Sequence, residues 1–559
     1  MNLRTATALL ALTASIFGYT QAQVPPEVAK AEATIDAEKI RAHVRFLADD
    51  LLEGRGPGLR GSELAAKYIA TEFALAGLKP AGDNGSYFQQ VKFFGMTVKR
   101  DSSSLALVSK GGSPIDLKFG PDYVVNNPRH EAVADIDAPI VFVGHGVTAP
   151  EFGWDDYAGI DVKGKVVLII VGDPPSDDPK FFGGKALTYY GRWTYKYEQA
   201  ARKGAIGALI IHRTDLASYG WSVVQNSGAG EKTFLADDAK PVVEAAAWIH
   251  HDVADKLFAA AGMPATDDEI ATAGKRGFKA IELPVHLKAH IQSTVRPFES
   301  ANVVGILPGE SKGKDQALMY SAHYDHLGFV PGMAGDNIYN GAADNATGCG
   351  ILIELARVWA QLNETSLKPP HSVIFAAVTA EEQGLLGSEY LGQHPPIPAG
   401  QIALDLNYDD IQPFGDPLET NVAGSERTSF YPTVEATAKR FHLAIVPDAH
   451  PEAGHYYRSD HFSFARVGVP SFSVGEGTLF AGHDAAWGLA KEDDYVAHRY
   501  HNFSDNYTPD MDFTSNAKLA KFGMELGWEA LSAKSTVQWK AGDEFEGARK
   551  TSLTATPTR

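Results

Sequence analysis

The chain has one cysteine, Cys349, in 559 residues. No intramolecular disulfide can form, so stability must come from an apolar core, from bound metal, or from both. Positive charge is also scarce: 50 Lys and Arg stand against 69 Asp and Glu, a formal net charge of -19. The acids are spread along the sequence, and no basic patch is offered to nucleic acid or to an anionic membrane. Beyond the opening residues, no apolar run approaches the roughly 20 residues that a membrane span needs. The H-E-x-x-H zinc-helix design is missing as well.

What is present is an ordinary globular composition, 44% hydrophobic and 21% charged, at a length that implies about two or three domains. The first residues read as a secretory signal peptide over 1–22: the basic "MNLR", the apolar "TATALLALTASIFG", and a small-x-small site at Thr20-Gln21-Ala22. The mature protein is therefore expected to be periplasmic or secreted, with no insertion in the membrane after cleavage. Helical patterns follow at 37–52 and, from an expected cap at Ser62, up to Gly77. The "GPGLRG" between them follows a helix instead of a strand, so it is read as a turn and not as a dinucleotide fingerprint.

From about residue 131 the texture is β-rich, with "APIVFVGHGV" and "GKVVLIIVGDPP" as short strands. From about 291 strands and helices alternate, which implies an α/β domain with a mixed, mostly parallel sheet flanked by helices. The expected organisation is an N-terminal part at 23–125, an inserted β-rich domain at 126–290, a catalytic α/β domain at 291–535, and a flexible tail at 536–559.

In open α/β sheets, ligands bind beyond the carboxyl ends of the strands. Metal-capable residues gather at those ends. "SAHYDHLG" supplies His323 and Asp325, "NGAADNATG" supplies Asp344, "TAEEQG" supplies Glu381 and Glu382, "LNYDD" supplies Asp409 and Asp410, and "RYHNFSD" supplies His501. In an extended chain His323 and Asp325 point the same way, so Asp325 is expected to accept a hydrogen bond from the far ring nitrogen of His323. Singly, each of these has a bland explanation as a turn, a cap or a surface histidine. Their concurrence along one sheet does not.

The blocks His323-Tyr324-Asp325-His326-Leu327-Gly328, Ala343-Asp344-Asn345-Ala346-Thr347-Gly348, Thr379-Ala380-Glu381-Glu382-Gln383-Gly384, Asn407-Tyr408-Asp409 and Tyr500-His501 resemble, in order, the motifs of M28 zinc peptidases. The β-rich segment, with "YAGIDVKGKVVLI" and "RKGAIGALII", resembles a protease-associated (PA) domain. The resemblance implies two zinc ions per chain, with His323 and Asp409 on one, Glu382 and His501 on the other, and Asp344 bridging. Nitrogen and oxygen donors suit zinc, and paired ions in such hydrolases lie about 3.5–4 Å apart. Glu381 would be the general base toward the attacking water, Asp325 would support His323 in catalysis, and Tyr500 would help stabilise the oxyanion.

The implied activity is that of an exported dinuclear-zinc aminopeptidase acting on peptides. The alternatives are a carboxypeptidase or dipeptidase on the same core, a receptor-like binding module without catalysis, and a single-zinc glutaminyl cyclase. "NYDD" departs from the family pattern, which leaves Asp409 and Asp410 both open as the ligand. His326, His455 and His483 have no role assigned, His461 is a candidate to line the pocket, and Cys349 is read as packing. The β-rich insert is expected to cover the mouth of the site.

Overall fold

The computed structural model describes residues 24–554 apart from residues 110, 218, 228–229, 237–239 and 312–315. The signal peptide expected over 1–22 lies outside the described residues. Two sheets share one long strand, Ile281–Leu307. Its last residues pair antiparallel with Val373–Val378, which is parallel to Ala317–His323. That strand is in turn parallel to Ile402–Asn407, which is parallel to Ser471–Glu476. Glu419–Ala423 follows antiparallel, and the short Ala444–Ile445 closes this side parallel to it.

Every residue of Ala317–His323, Val373–Val378 and Ile402–Asn407 is buried. These strands are apolar throughout because helices cover both faces, the usual condition of a parallel sheet. The period-two alternation of side chains divides them between two cores. Leu318, Tyr320, Phe375 and Leu406 pack with residues of the helices Ala37–Leu47, Arg60–Ala76, Gly348–Asn363 and Thr514–Ser532. Met319, Ile374 and Ala376 pack on the other face with Leu391 and Phe464.

The second sheet is built on residues 281–292, which pair with Ser104–Ser109 and Val133–Phe142. Val133–Phe142, Val166–Ile170, Gly207–Ile211 and Ala245–Ile249 then run parallel to one another. This side has its own core of Leu107, Ile136, Phe142, Leu168, Leu209, Ala247 and Leu287. The strand Phe88–Val98 pairs with residues 293–303, Val98 opposite Ser293. The insert therefore leaves the first sheet after residue 98 and has entered its own sheet by Ser104, well before the expected 126. "SLALVS" is short, and its pairing partner lies far along the sequence, so the strand is hard to recognise locally.

The expected flexible tail is corrected over 536–554. Trp539 and Phe545 are buried, and a helix runs over Glu546–Thr554. The buried Arg549 guanidinium donates to the carbonyls of Ile402 (3.0 Å) and Ala399 (3.3 Å). Two aromatic anchors and one arginine are enough to hold a segment whose composition is otherwise polar. The helix expected to be capped by Ser62 starts at Arg60 instead, because Gly61 packs directly against the Leu52 carbonyl.

Candidate metal centre

The strand Ala317–His323 ends on His323, Val373–Val378 leads through Thr379 and Ala380 to Glu381 and Glu382, and Ile402–Asn407 leads through Tyr408 to Asp409. Asp344 lies just before the helix Gly348–Asn363, and His501 follows the helix Ala485–His498. All meet beyond the carboxyl ends of the parallel strands.

His323 Nε2 lies 2.9 Å from Asp409 Oδ1 and 3.2 Å from Asp344 Oδ1. His501 Nε2 lies 3.0 Å from Glu382 Oε2 and 3.2 Å from Asp344 Oδ2. The two oxygens of Asp344 thus face two separate donor groups. Glu381 Oε2 stands 4.0 Å from His323 Nε2. His326 joins the second group, with Nδ1 2.6 Å from Glu382 Oε1 and 3.8 Å from Asp344 Oδ2. Two triads, His323/Asp344/Asp409 and His326/Asp344/Glu382, each bring their donor atoms within 4.8 Å of one another.

Carboxylates outnumber imidazoles here, and the pocket is largely buried, with Glu381 and Asp409 partly open and His501 the most exposed. Burial pushes Asp325 up to about 8, and it drives Glu381 well above the usual carboxylate range. Burial and Asp344 also raise Glu382, but His501 and His326 outweigh them and hold it at about 2. Burial would lower His501, yet Glu382 and Asp344 lift it to about 12. Carboxylate and imidazole donors in two adjoining sets fit zinc, a borderline-soft ion that accepts both.

Asp409 and Asp410 separate cleanly. Asp409 faces His323, and its other oxygen accepts a hydrogen bond from Ser459 Oγ at 2.5 Å. Asp410 has a left-handed backbone (φ 58°), and its carboxylate turns away to accept from the Tyr495 hydroxyl at 2.6 Å.

Asp325 requires a correction. His323 Nδ1 stands 3.2 Å from the Asp325 backbone carbonyl and 3.8 Å from its carboxylate, which instead accepts from the Glu381 amide at 3.2 Å. The strand stops at His323, so the alternation that would align the two side chains no longer applies. His461 packs against Tyr456, with ring centroids 4.6 Å apart, and is in neither triad. His483 stacks on Trp487, and His455 pairs with Asp448. The Cys349 thiol is buried and donates to the His323 carbonyl at 3.1 Å.

Three further residues shape the centre. Asp505 accepts from the amides of Ala343 (3.0 Å) and Asp344 (3.1 Å), fixing the bridging loop. Ser459 orients Asp409. Arg55, fully buried, donates to the carbonyls of Tyr324 (2.7 Å), Asn340 (2.6 Å), Gly341 (2.9 Å) and Leu47. It ties the loop of Asp325 and His326 to the loop of Asp344. His326 lies inside the "HYDHLG" block and Asp505 inside "RYHNFSD", so proximity to the other candidates was the available signal for both.

Residues 302–523, which carry all of these donors, match the sequence profile of peptidase family M28. This segment belongs to that family. A glutamate carboxypeptidase 2 homolog from Caenorhabditis elegans is 25% identical over 442 residues, covering 68% of this chain and 51% of its own length. Aminopeptidase YwaD from Bacillus subtilis (strain 168) is 28% identical over 255 residues, covering 44% of this chain and 40% of its own length. The chain thus spans about half the length of these curated relatives, or less. Among solved structures, an aminopeptidase from Aneurinibacillus sp. strain AM-1 aligns over 90% of this chain and 96% of its own, with 19% identity and a TM-score of 0.48. Among the described residues, no helix is long and apolar enough to cross a membrane.

Proposed function

We propose that the protein is an exported zinc exopeptidase that removes residues from the N-terminus of peptides, with two zinc ions per chain. The observation that carries this reading is the divided bridge, in which the two oxygens of Asp344 face separate donor groups. His323, Asp409 and one Asp344 oxygen would hold one ion. Glu382, His501 and the other Asp344 oxygen would hold the second, with His326 fixing Glu382 through its hydrogen bond. Bound zinc would supply Lewis acidity to the scissile carbonyl and to the attacking water.

Glu381 is left outside both triads, beside His323, where it can take the proton from the attacking water and return it to the leaving nitrogen. Its amide is held by Asp325, so Asp325 acts by positioning Glu381. Tyr500 stacks on His501 and is open to solvent, which suits a hydroxyl that stabilises charge on the substrate carbonyl. The insert packs beside this mouth. The Leu187 amide donates to the Pro451 carbonyl at 3.0 Å, Tyr189 lies 5.1 Å from Phe462, and Glu198 pairs with Arg466 at 3.1 Å. We assign it the restriction of peptide size.

A carboxypeptidase on the same donors is the second reading, favoured by the name of the C. elegans relative. One peptide, offered with its N-terminus free and acetylated, with and without chelator, separates the two by mass spectrometry of products. Stepwise loss from the free N-terminus alone, abolished by chelator, supports the aminopeptidase. Equal shortening of the acetylated peptide from its C-terminus would overturn it. Zinc content per chain checks the second claim: one tightly held ion would contradict the two-ion site.

A further inference from the structure

Four donors sit on buried strand ends or a buried loop, whereas His501 follows an exposed helix. In Ala485–His498, Gly488 and Tyr495 are the buried residues. Gly488 secures the first turns, where an added Cβ would lie 1.6 Å from the Thr478 carbonyl oxygen. Tyr495 secures the last turn. It is 6% exposed, and its hydroxyl donates to Asp410 Oδ1 at 2.6 Å.

From Tyr495 a short route leads to the metal donor. The Tyr495 carbonyl accepts from the amides of Arg499 and Tyr500, both at 2.8 Å. The Tyr500 ring lies 6.1 Å from that of Tyr495 and stacks on His501 at 3.9 Å with 20° between planes. His501 itself has a left-handed backbone (φ 54°), a conformation that a side-chain-bearing residue keeps only where its surroundings enforce it. Asp505 then fastens the far end to the Asp344 loop. Residues 495–505 therefore form a span fastened by two carboxylates: Asp410, beside Asp409, receives Tyr495 at one end, and the span's own Asp505 receives the amides of the Asp344 loop at the other.

We propose that Asp410 and Tyr495 are positioning residues, whose hydrogen bond holds the span against the Asp409 turn and sets His501 opposite Glu382 and Asp344. The proposal rests on the reading of His501 as a zinc donor. Tyr495 touches neither substrate nor reacting atoms; it acts through His501.

Tyr495→Phe keeps the ring and deletes the hydroxyl. Zinc affinities of the full chain are measured by chelator competition, and amide exchange over 495–505 by mass spectrometry. The expected result is one zinc site weakened about 10- to 100-fold, the other unchanged, and faster exchange confined to the span. Asp410→Asn keeps an acceptor oxygen and should behave like the parent protein. Asp410→Gly tolerates the left-handed backbone, removes the acceptor, and should match Tyr495→Phe. Two unchanged affinities in Tyr495→Phe, or an equal loss at both sites, overturn the proposal. If the parent protein binds a single zinc, the two-ion reading fails by itself. Exchange in the metal-free proteins then decides: faster exchange in Tyr495→Phe upholds the positioning role, and unchanged exchange overturns it.

Discussion

In the insert's sheet, the strands Val133–Phe142, Val166–Ile170 and Gly207–Ile211 are followed by His145, Asp173 and His212. In the M28 sheet, the corresponding places hold His323, Glu381 and Asp409. The residue types are alike and the topology is alike, yet the side chains do different things. His145 donates from Nδ1 to the Gly172 carbonyl at 3.1 Å, and His212 Nε2 donates to the Tyr219 carbonyl at 2.9 Å. Asp173 accepts from the amide and hydroxyl of Thr188, both at 2.7 Å. The buried Lys196 donates to the carbonyls of His145 (2.7 Å) and Gly172 (3.0 Å). His145 Nδ1, His212 Nε2, Asp173 and Lys196 are taken up by nearby backbone or by a loop hydroxyl, while His145 Nε2 is buried without a hydrogen-bond partner. In the M28 sheet the same kinds of groups face one another instead, as His323 faces Asp409 and Asp344. Position at a strand end is therefore a weak sign of chemistry, and convergence of side chains is the stronger one.

The sharpest test of that contrast is Glu381→Gln, which should lower turnover about 10²- to 10⁴-fold while the zinc content stays at the parent level; unchanged turnover would remove Glu381 from the mechanism. Chelation comes next. Loss of ions that bind only the folded state should lower the unfolding midpoint by roughly 10 °C. Amide exchange should rise around Asp344 and His501 and stay constant in Gly207–Ile211, and a rise spread equally over both sheets would break the comparison.

A smaller effect is expected on the insert side. Lys196→Met leaves the His145 carbonyl without its donor and the Gly172 carbonyl with that of His145 alone, at a cost of about 1–3 kcal/mol in denaturant unfolding, with zinc affinity unaltered. The least is the pH response of His145. Burial, with Lys196 adding to it, pushes this imidazole down to about 3, against about 6.5 in an unfolded chain. Below pH 6.5 the unfolded chain binds the proton first, so the stability this group contributes is lost as pH falls from there toward 3. His145→Gln should flatten the stability curve by about 1 kcal/mol between pH 6.5 and 5.5. A parallel pair of curves would show that His145 does not titrate on unfolding.

The α/β class was legible because "QALMYSAH", "HSVIFAAV" and "QIALDLN" are apolar runs of strand length, the first ending on His323 and the others followed closely by Glu381 and Asp409. Convergence of His323, Asp344, Glu382, Asp409 and His501 could be anticipated from the same pattern. The support around them could not. Arg55 acts through main-chain carbonyls of Leu47, Tyr324, Asn340 and Gly341, and nothing in those residue types announces an arginine partner. Asp505 likewise binds amides, which every residue possesses. Asp325 was misread because strand alternation was carried one turn too far. The segment after residue 536 departs from the expected tail because Val537, Trp539 and Phe545 are only three apolar anchors in a polar stretch.

The pairing of Val98 with Ser293 has a consequence for how such a chain can be shortened or can have arisen. The two residues that bracket the insert stand side by side on neighbouring strands, so in topological terms the whole of 99–292 is the loop of a single β-hairpin. A two-residue Asn-Gly turn spans such a gap and keeps the register of 88–98 against 293–303, with Phe88–Val98 becoming an edge strand. A hairpin tip is also where a sheet admits new sequence with least disturbance. The insert can thus be gained, exchanged or removed while the donors at the far strand ends stay where they are.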